Sequence, residues 1–358
     1  MRAAVLHETG HDKLEVHDDV EAVGFGPGKV RVRVRAAGLC HSDLSAMNGT
    51  LRQPAPFVPG HEGAGEVLDV GDGVSGVRPG DRVLISWLPS CGGCPPCGRG
   101  QTQLCLTGFR NARTPNFRRS GGPVFGFTGT GTFAEEVVVD AASAVPIPDD
   151  VPFDLAALIG CGVTTGLGAV LNTARVEAGS SVAVIGCGGV GLSVVQGARL
   201  SGAARIVAVD PVAFRRGSAL RFGATEAVAP DELADATQRI TGGEGFDYVF
   251  EVVGRSDTAR TAYDATRRGG TLCVVGAGAP DDFLRLSMFE LFFHEKRILP
   301  SMYGGGDAVR SYRRTVELWR AGRIDLEGLI THRVSLADIN EALEQMRTGS
   351  ALRTSIAC

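Results

Sequence analysis

The sequence has no block of basic residues. Lys and Arg are scattered, runs stop at pairs such as Arg118-Arg119, and the formal net charge is −4. That distribution leaves no electrostatic footprint for nucleic acid or an anionic membrane surface, and neither is expected as a partner. Also missing is any uninterrupted apolar run of the ~18 residues a membrane span needs. The N-terminal MRAAVLHETGHDKLEV lacks the apolar core of a secretory signal. A cytoplasmic location is therefore the expectation, and thiols stay reduced there. What remains is a chain of 358 residues, 44% hydrophobic and 21% charged, long enough for a sizeable core and for two domains.

Against that background, CGGCPPCGRGQTQLC places Cys91, Cys94, Cys97 and Cys105, four of the nine cysteines, in one short loop. In a reducing compartment such a cluster reads as a metal site ahead of two disulfides. Tetrahedral zinc takes four thiolates at about 2.3 Å, and Gly92, Gly93, Pro95, Pro96 and Gly98 supply the turns that let one loop provide them. A site closed by four thiolates has no position left for substrate, so it argues for zinc but not for catalysis.

Catalysis would need fewer protein ligands. GLCHSDLSAMNG offers Cys40, His41, Ser42 and Asp43; VPGHEGAGEV offers His61 and Glu62; LIGCGVTTGLG offers Cys161. Singly, each is as readily a packing residue. Together, Cys40, His61 and Cys161 would make a three-ligand zinc site with one open position.

The chain changes texture along its length. KVRVRVRAAG alternates Val30, Val32 and Val34 with Arg31, Arg33 and Arg35, the period of a strand with one buried face. Turns at Gly71-Asp72-Gly73 and Pro79-Gly80-Asp81 continue a β-rich region to about residue 150. From Val182 an apolar strand to Ile185, a glycine turn, a helix starting near Val190 and a second strand, Ile206 to Val209, form a βαβ unit of a parallel sheet. Gly186, Gly188 and Gly191 have the G-x-G-x-x-G spacing of a dinucleotide-binding turn, answered about twenty residues on by Asp210. An acid there accepts hydrogen bonds from the adenosine ribose and repels a 2′-phosphate, favouring NAD; nearby Arg215 and Arg216 leave NADP open. FDYVFEVVG and GGTLCVVGAG read as further buried strands around a helical stretch, SDTARTAYDATRRG, that stops at Gly269. Cys187 and Cys273 are expected to be packing residues and Cys358 free. In SLADINEALEQM, Leu336, Ile339, Leu343 and Met346 share one helical face behind a Ser335 cap.

These motifs together resemble the zinc-dependent alcohol dehydrogenases of the medium-chain dehydrogenase/reductase superfamily, end to end: Cys40-His41-Ser42-Asp43, Gly60-His61-Glu62, the Cys91 to Cys105 loop, Gly160-Cys161-Gly162, the glycine turn and Leu352-Arg353-Thr354. The resemblance implies an α/β chain with a GroES-like β-rich catalytic domain over residues 1–162, a Rossmann doubly wound parallel-sheet domain over 163–302, and a segment, 303–358, returning to the catalytic domain near Tyr303. It implies two zinc ions per chain and a nicotinamide cofactor, with a primary alcohol or its aldehyde as substrate. Ser42 would take the substrate proton, Asp43 orient His61, and Glu62 stand beside the zinc as a transient ligand. His41 and Arg353 would contact the cofactor pyrophosphate, with Thr165, Gly189, Val190 and Arg215 completing the cofactor set, and Trp87 would narrow the substrate pocket.

Departures from the family pattern shape the expectation. Many members carry a histidine three residues past the serine; here Ser45 stands there, which puts the proton's exit in question. Close relatives that oxidise thiol adducts of formaldehyde use acids in the loop before His61, and AMNGTLRQPAPFVPG has none. That reading stays as the alternative enzyme, and a non-catalytic nicotinamide-binding protein with one structural zinc as the alternative of another class. The insertion from Cys105 to Phe133 is of intermediate length; similar insertions accompany dimers in the family that the chain resembles and shorter ones tetramers, so the resemblance implies a homodimer ahead of a tetramer, with the strands near VVGAGAP and PSMYGGG as candidate pairing edges.

Overall fold

A computed structural model describes residues 1–358. Its chain packs as two compact units. The first comprises Met1–Cys161, Asp307–Glu317 and Leu326–Cys358, and the second Gly162–Gly306 and Leu318–Asp325.

The first unit is built around the strand Lys29–Leu39. Its valines are buried and its arginines exposed in strict alternation up to Arg35, after which both faces are covered. The strand pairs antiparallel with Glu62–Val70, Glu136–Asp140 and Arg353–Ala357 in a seven-stranded sheet. The C-terminal strand thus returns to the centre of the N-terminal unit. A hydrophobic core including Val30, Val32, Leu39, Phe57, Ile85, Phe117, Phe133 and Ile356 fills the space behind the sheet. The insertion folds as a hairpin, Pro115–Arg119 with Gly122–Gly126, inside a separate four-stranded sheet.

The second unit is a six-stranded parallel sheet in the order Glu226–Val228, Arg205–Val209, Ser181–Ile185, Phe246–Glu251, Thr266–Val274, Arg297–Pro300. Strands buried on both faces and linked by helices are what a doubly wound sheet requires. Cys187 and Cys273 are buried and Cys358 is half-buried; all three are free thiols. Burial pushes the Cys273 thiol up to about 12, as suits a packing residue.

Several elements differ from expectation. The helix expected to reach Gly269 ends at Ala265, because Thr266 turns extended and starts the next strand opposite Phe246. Ser335 stands at the N-cap of a short 3-10 helix, Leu336–Asp338, that leads into the helix Ile339–Thr348, but its hydroxyl donates to Asp338 Oδ2 at 2.6 Å and accepts no capping bond from a backbone amide. Leu336, Ile339 and Leu343 are nevertheless buried on one face. The segment Tyr303–Gly306 stays with the second unit instead of leaving it, since Gly168 and Gly304 meet backbone to backbone and Asn172 donates to the Gly304 and Gly305 carbonyls. Leu318–Asp325 also belongs there, tied by Gln196 to both the carbonyl and the amide of Asp325. Finally, Phe153–Ala174 is one continuous helical segment long and apolar enough to match a membrane span, a length the sequence had not advertised. Most of its apolar stretch is buried within the protein, the position of a core helix.

Candidate active site

Cys40 sits at the end of the long strand with extended backbone, immediately before the short helix His41–Met47. That boundary turns Asp43 back toward the strand, where its Oδ2 accepts from the Cys40 amide at 2.9 Å. Its other oxygen, Oδ1, accepts from the Gly60 amide at 3.0 Å and from His61 Nδ1 at 3.1 Å. Asp43 and His61 are both buried. The carboxylate therefore fixes the tautomer: Nδ1 carries the proton, and Nε2 presents its lone pair.

That Nε2 is buried and has no hydrogen-bond partner. A buried polar atom without a partner costs ~1–3 kcal/mol and calls for a ligand. The ligand atoms of Cys40, His61, Glu62 and Cys161 all lie within 4.8 Å of one another. Cys161 reaches this point from a widened turn, Ile159–Val163, of the long core helix. A hydrogen bond with the Cys161 thiol, reinforced by His61 and the Arg353 guanidinium, outweighs burial and holds the Cys40 thiol well below its ordinary range. The same bond pushes Cys161 up. His61 is raised because Asp43, with help from Cys40, more than offsets its desolvation. Two sulfurs and an oriented imidazole suit zinc, with a fourth position left open.

Glu62, completely buried, forms an ion pair with Arg353, and its backbone carbonyl accepts from Thr132 Oγ1 at 2.8 Å. Gly38 matters here because a Cβ at that position would collide with the Glu62 carboxylate. Burial works against the Arg353 charge, but Glu62, Cys40 and Cys161 more than restore it. Ser42 Oγ lies 3.8 Å from Cys40 Sγ. Trp87 and Phe127 each present their rings perpendicular to the His61 imidazole, at 6.4 and 5.2 Å between centroids. Phe127 was not legible as a site residue: it comes from the insertion, where no motif marks it.

The second cysteine set also converges, all four sulfurs lying within 4.8 Å of one another. Backbone amides point at the sulfurs: Cys91 N and Gly108 N reach Cys105 Sγ at 3.3 and 3.4 Å, and Cys94 N reaches Cys91 Sγ at 3.3 Å. Hydrogen bonds from Thr107, Gly93 and Cys94 bring the Cys91 thiol down to about 6. Burial and its neighbours raise Cys97 to about 12. Such a set suits a structural zinc.

In the second unit the glycine turn joins Ser181–Ile185 to the helix Gly189–Leu200. Gly186 has a φ of 94°, and a Cβ on Gly191 would strike the Gly186 carbonyl, so the helix can approach the strand only with glycine there. Nothing lies within 4 Å of where a Gly188 Cβ would be, leaving the helix N-terminus, Gly189 and Val190, open to a phosphate. Thr165 lies in the turn Thr164–Gly168, whose Gly166 packs directly on Val190 and Ser193. Asp210, buried, accepts from Cys187 N at 2.8 Å and Val212 N at 2.9 Å, which anchors the carboxylate at the end of its strand. Arg216 is spent on the carbonyls of Asp210 and Pro211, whereas Arg215 Nε is buried without a partner. His41 and Arg353, expected at the cofactor, belong to the first unit; His41 Nδ1 is 3.4 Å from Ser45 Oγ.

A convergent Cys–His–Cys set, a four-cysteine loop and a doubly wound sheet with a glycine turn define a zinc-type dehydrogenase. Comparison with known families agrees: residues 26–149 match the alcohol dehydrogenase GroES-like domain, and residues 189–319 the zinc-binding dehydrogenase family. The chain belongs to the zinc-type alcohol dehydrogenases of the medium-chain dehydrogenase/reductase superfamily and is an oxidoreductase. It is 37% identical over 362 residues to the NDMA-dependent alcohol dehydrogenase of Amycolatopsis methanolica, covering 98% of this chain and 97% of that one. Among solved structures it superposes on an alcohol dehydrogenase zinc-binding domain protein from Burkholderia ambifaria with a TM-score of 0.92 at 32% identity, over 99% of this chain and 98% of that one. Benzyl alcohol dehydrogenase from Acinetobacter calcoaceticus gives a TM-score of 0.91 at 28% identity, with the same coverage.

Proposed function

We propose that this protein is a two-zinc, NAD-dependent dehydrogenase that interconverts primary alcohols and aldehydes. The observation that carries this reading is His61 Nε2, buried without a partner beside Cys40 and Cys161 while Asp43 occupies Nδ1.

Zinc at this set supplies Lewis acidity, lowering the pKa of a hydroxyl and polarising a carbonyl. The nicotinamide supplies the hydride acceptor. The chain's residues do the rest. Asp43 holds His61 in the tautomer that can ligate, and its bond to the Cys40 amide sets the position of the first thiolate. Ser42, whose Oγ lies 3.8 Å from Cys40 Sγ, is the residue that would take the hydroxyl proton and pass it to the cofactor ribose. Ser45 meets His41 instead of extending that relay, so exchange with bulk solvent runs through water. Trp87 and Phe127 give apolar walls beside His61 that admit an unbranched or aromatic carbinol and exclude water from the reacting centre. The Asp210 carboxylate favours NAD by accepting from ribose hydroxyls and repelling a 2′-phosphate.

The chain is proposed to act as a homodimer. Phe283, Met288, Phe289 and Phe292 are exposed in and before the helix Met288–His294, and the neighbouring strand Arg297–Pro300 is the open edge of the parallel sheet. An apolar patch beside an unpaired edge suits a second copy of the chain.

The test is reduction of NAD at 340 nm against primary, secondary and aromatic alcohols, with NADP in parallel and NDMA as an added acceptor, since a relative is named for its dependence on that compound. Turnover with primary or aromatic alcohols and NAD supports the reading. Turnover only with a thiol adduct of formaldehyde, or none with any acceptor or aldehyde, overturns it.

A further inference from the structure

A third cluster of ligand atoms lies in the first unit, outside both cysteine sets: His7, Glu15 and His17. The strand Ala3–Val5 pairs antiparallel with Glu15–His17, setting Ala3 opposite His17 and Val5 opposite Glu15. Period-two alternation puts Glu15 and His17 on one face, and His7, two residues past Val5 along a backbone still paired through Leu6 to Phe57, continues the same row. Register therefore delivers three donors to one spot.

Their atoms form a nearly equilateral triangle. His7 Nε2 and His17 Nε2 are 3.1 Å apart, and Glu15 Oε2 is 3.3 Å from the first and 3.4 Å from the second. Donors on a tetrahedral zinc at ~2.0–2.2 Å are separated by ~3.3–3.6 Å, the edge of the tetrahedron. Hydrogen bonding alone fits the triangle poorly. If both Nε2–H groups donate to Glu15, two protons face each other across the N···N edge. If one imidazole donates to the other, the carboxylate faces a lone pair. A single cation satisfies all three edges. The one guanidinium beside the cluster, Arg119, is paired with Asp19 at 2.8 Å.

We propose that His7, Glu15 and His17 form a third metal site, which takes a borderline divalent cation such as zinc, nickel or copper. Two imidazoles and one carboxylate select against calcium and magnesium, which prefer all-oxygen sites. The His7 and Glu15 side chains are 36% and 67% exposed, so the fourth position faces solvent and the ion exchanges readily, unlike one closed in by four thiolates. Bound metal clips the turn between residues 7 and 17 and pins the N-terminal hairpin.

The experiment uses the full-length, tag-free protein, purified with its resident metal and dialysed free of excess zinc. Zinc chloride is titrated in a calorimeter into this protein and into Glu15→Gln, His7→Ala and His17→Ala. Expected is one further equivalent bound by the parent chain and an affinity lowered ~10-fold or more in each variant. Near-unchanged thermal midpoints in zinc-free buffer show that the variants fold, and Glu15→Gln, at a highly exposed position, keeps the test valid if a histidine variant misfolds. No further equivalent in the parent, or one that survives all three substitutions, overturns the proposal. The Cys40→Ala variant is expected to keep this site, so failure here and failure of the dehydrogenase reading are separately visible.

Discussion

Asp43 Oδ1 accepts from His61 Nδ1 at 3.1 Å and, at the same oxygen, from the Gly60 amide at 3.0 Å. One carboxylate thus fixes both the imidazole and the turn that carries it, while its other oxygen fixes Cys40. Two of the three proposed catalytic-zinc ligands depend on a residue that does not touch the metal. Asp43→Asn is expected to weaken that zinc by ~10–100-fold, the usual cost of removing a carboxylate behind a metal-bound histidine. Competition with a chromogenic chelator reads this directly: one equivalent should leave early while the four-cysteine equivalent stays.

Glu62 and Arg353 form a buried ion pair whose members are 0% and 5% exposed. Removing one partner of such a pair strands the other charge, so Glu62→Gln or Arg353→Met alone should cost ~3–5 kcal/mol. The double variant should lose less than the sum of the two. Urea-unfolding curves of the zinc-loaded proteins measure the cycle; strict additivity would show that the pair is not coupled.

Asp210 is the residue proposed to distinguish the two nicotinamide cofactors. A hydrogen bond from a ribose hydroxyl to a carboxylate contributes ~1.5–3 kcal/mol, so Asp210→Ala should raise the KM for NAD ~10-fold or more. With the repulsion removed and Arg215 Nε nearby without a partner, the KM for NADP should fall or hold steady. The ratio of kcat/KM with the two cofactors is the measurement.

Phe289 and Phe292 are 66% and 73% exposed on one short helix. Replacing both with Glu should convert a dimer to a monomer in multi-angle light scattering, with the Rossmann-type sheet intact by circular dichroism. A parent chain that is already monomeric would leave that apolar face without a second copy to cover it.

What was legible in the sequence had short-range causes. The Val/Arg alternation of Lys29–Leu39 fixes which face is buried whatever lies opposite, and Gly191 can be nothing larger because the Gly186 carbonyl occupies the place of a Cβ. The end of the helix Ser256–Ala265 was not legible, because its boundary is set by distant partners: Thr266 pairs with Phe246, and Arg267 binds Asp247 at 2.7 Å. Those contacts pull TRRGG into the sheet against a local pattern that continues the helix. The metal ligands were legible as residue types in motifs, but their support was only partly so. Phe127 and Thr132 meet His61 and Glu62 only through the fold of the insertion. The His7–Glu15–His17 triangle, too, appears only once the register of the N-terminal hairpin is known.

The most direct test of the whole account is a zinc count by mass spectrometry after dialysis into zinc-free buffer, made beside an activity assay with NAD and a primary alcohol. The account predicts two tightly held ions per chain, falling to one in Cys40→Ala with loss of all turnover, because Cys40, His61 and Cys161 no longer close around the metal. One ion in the parent chain, or turnover that survives Cys40→Ala, would contradict it.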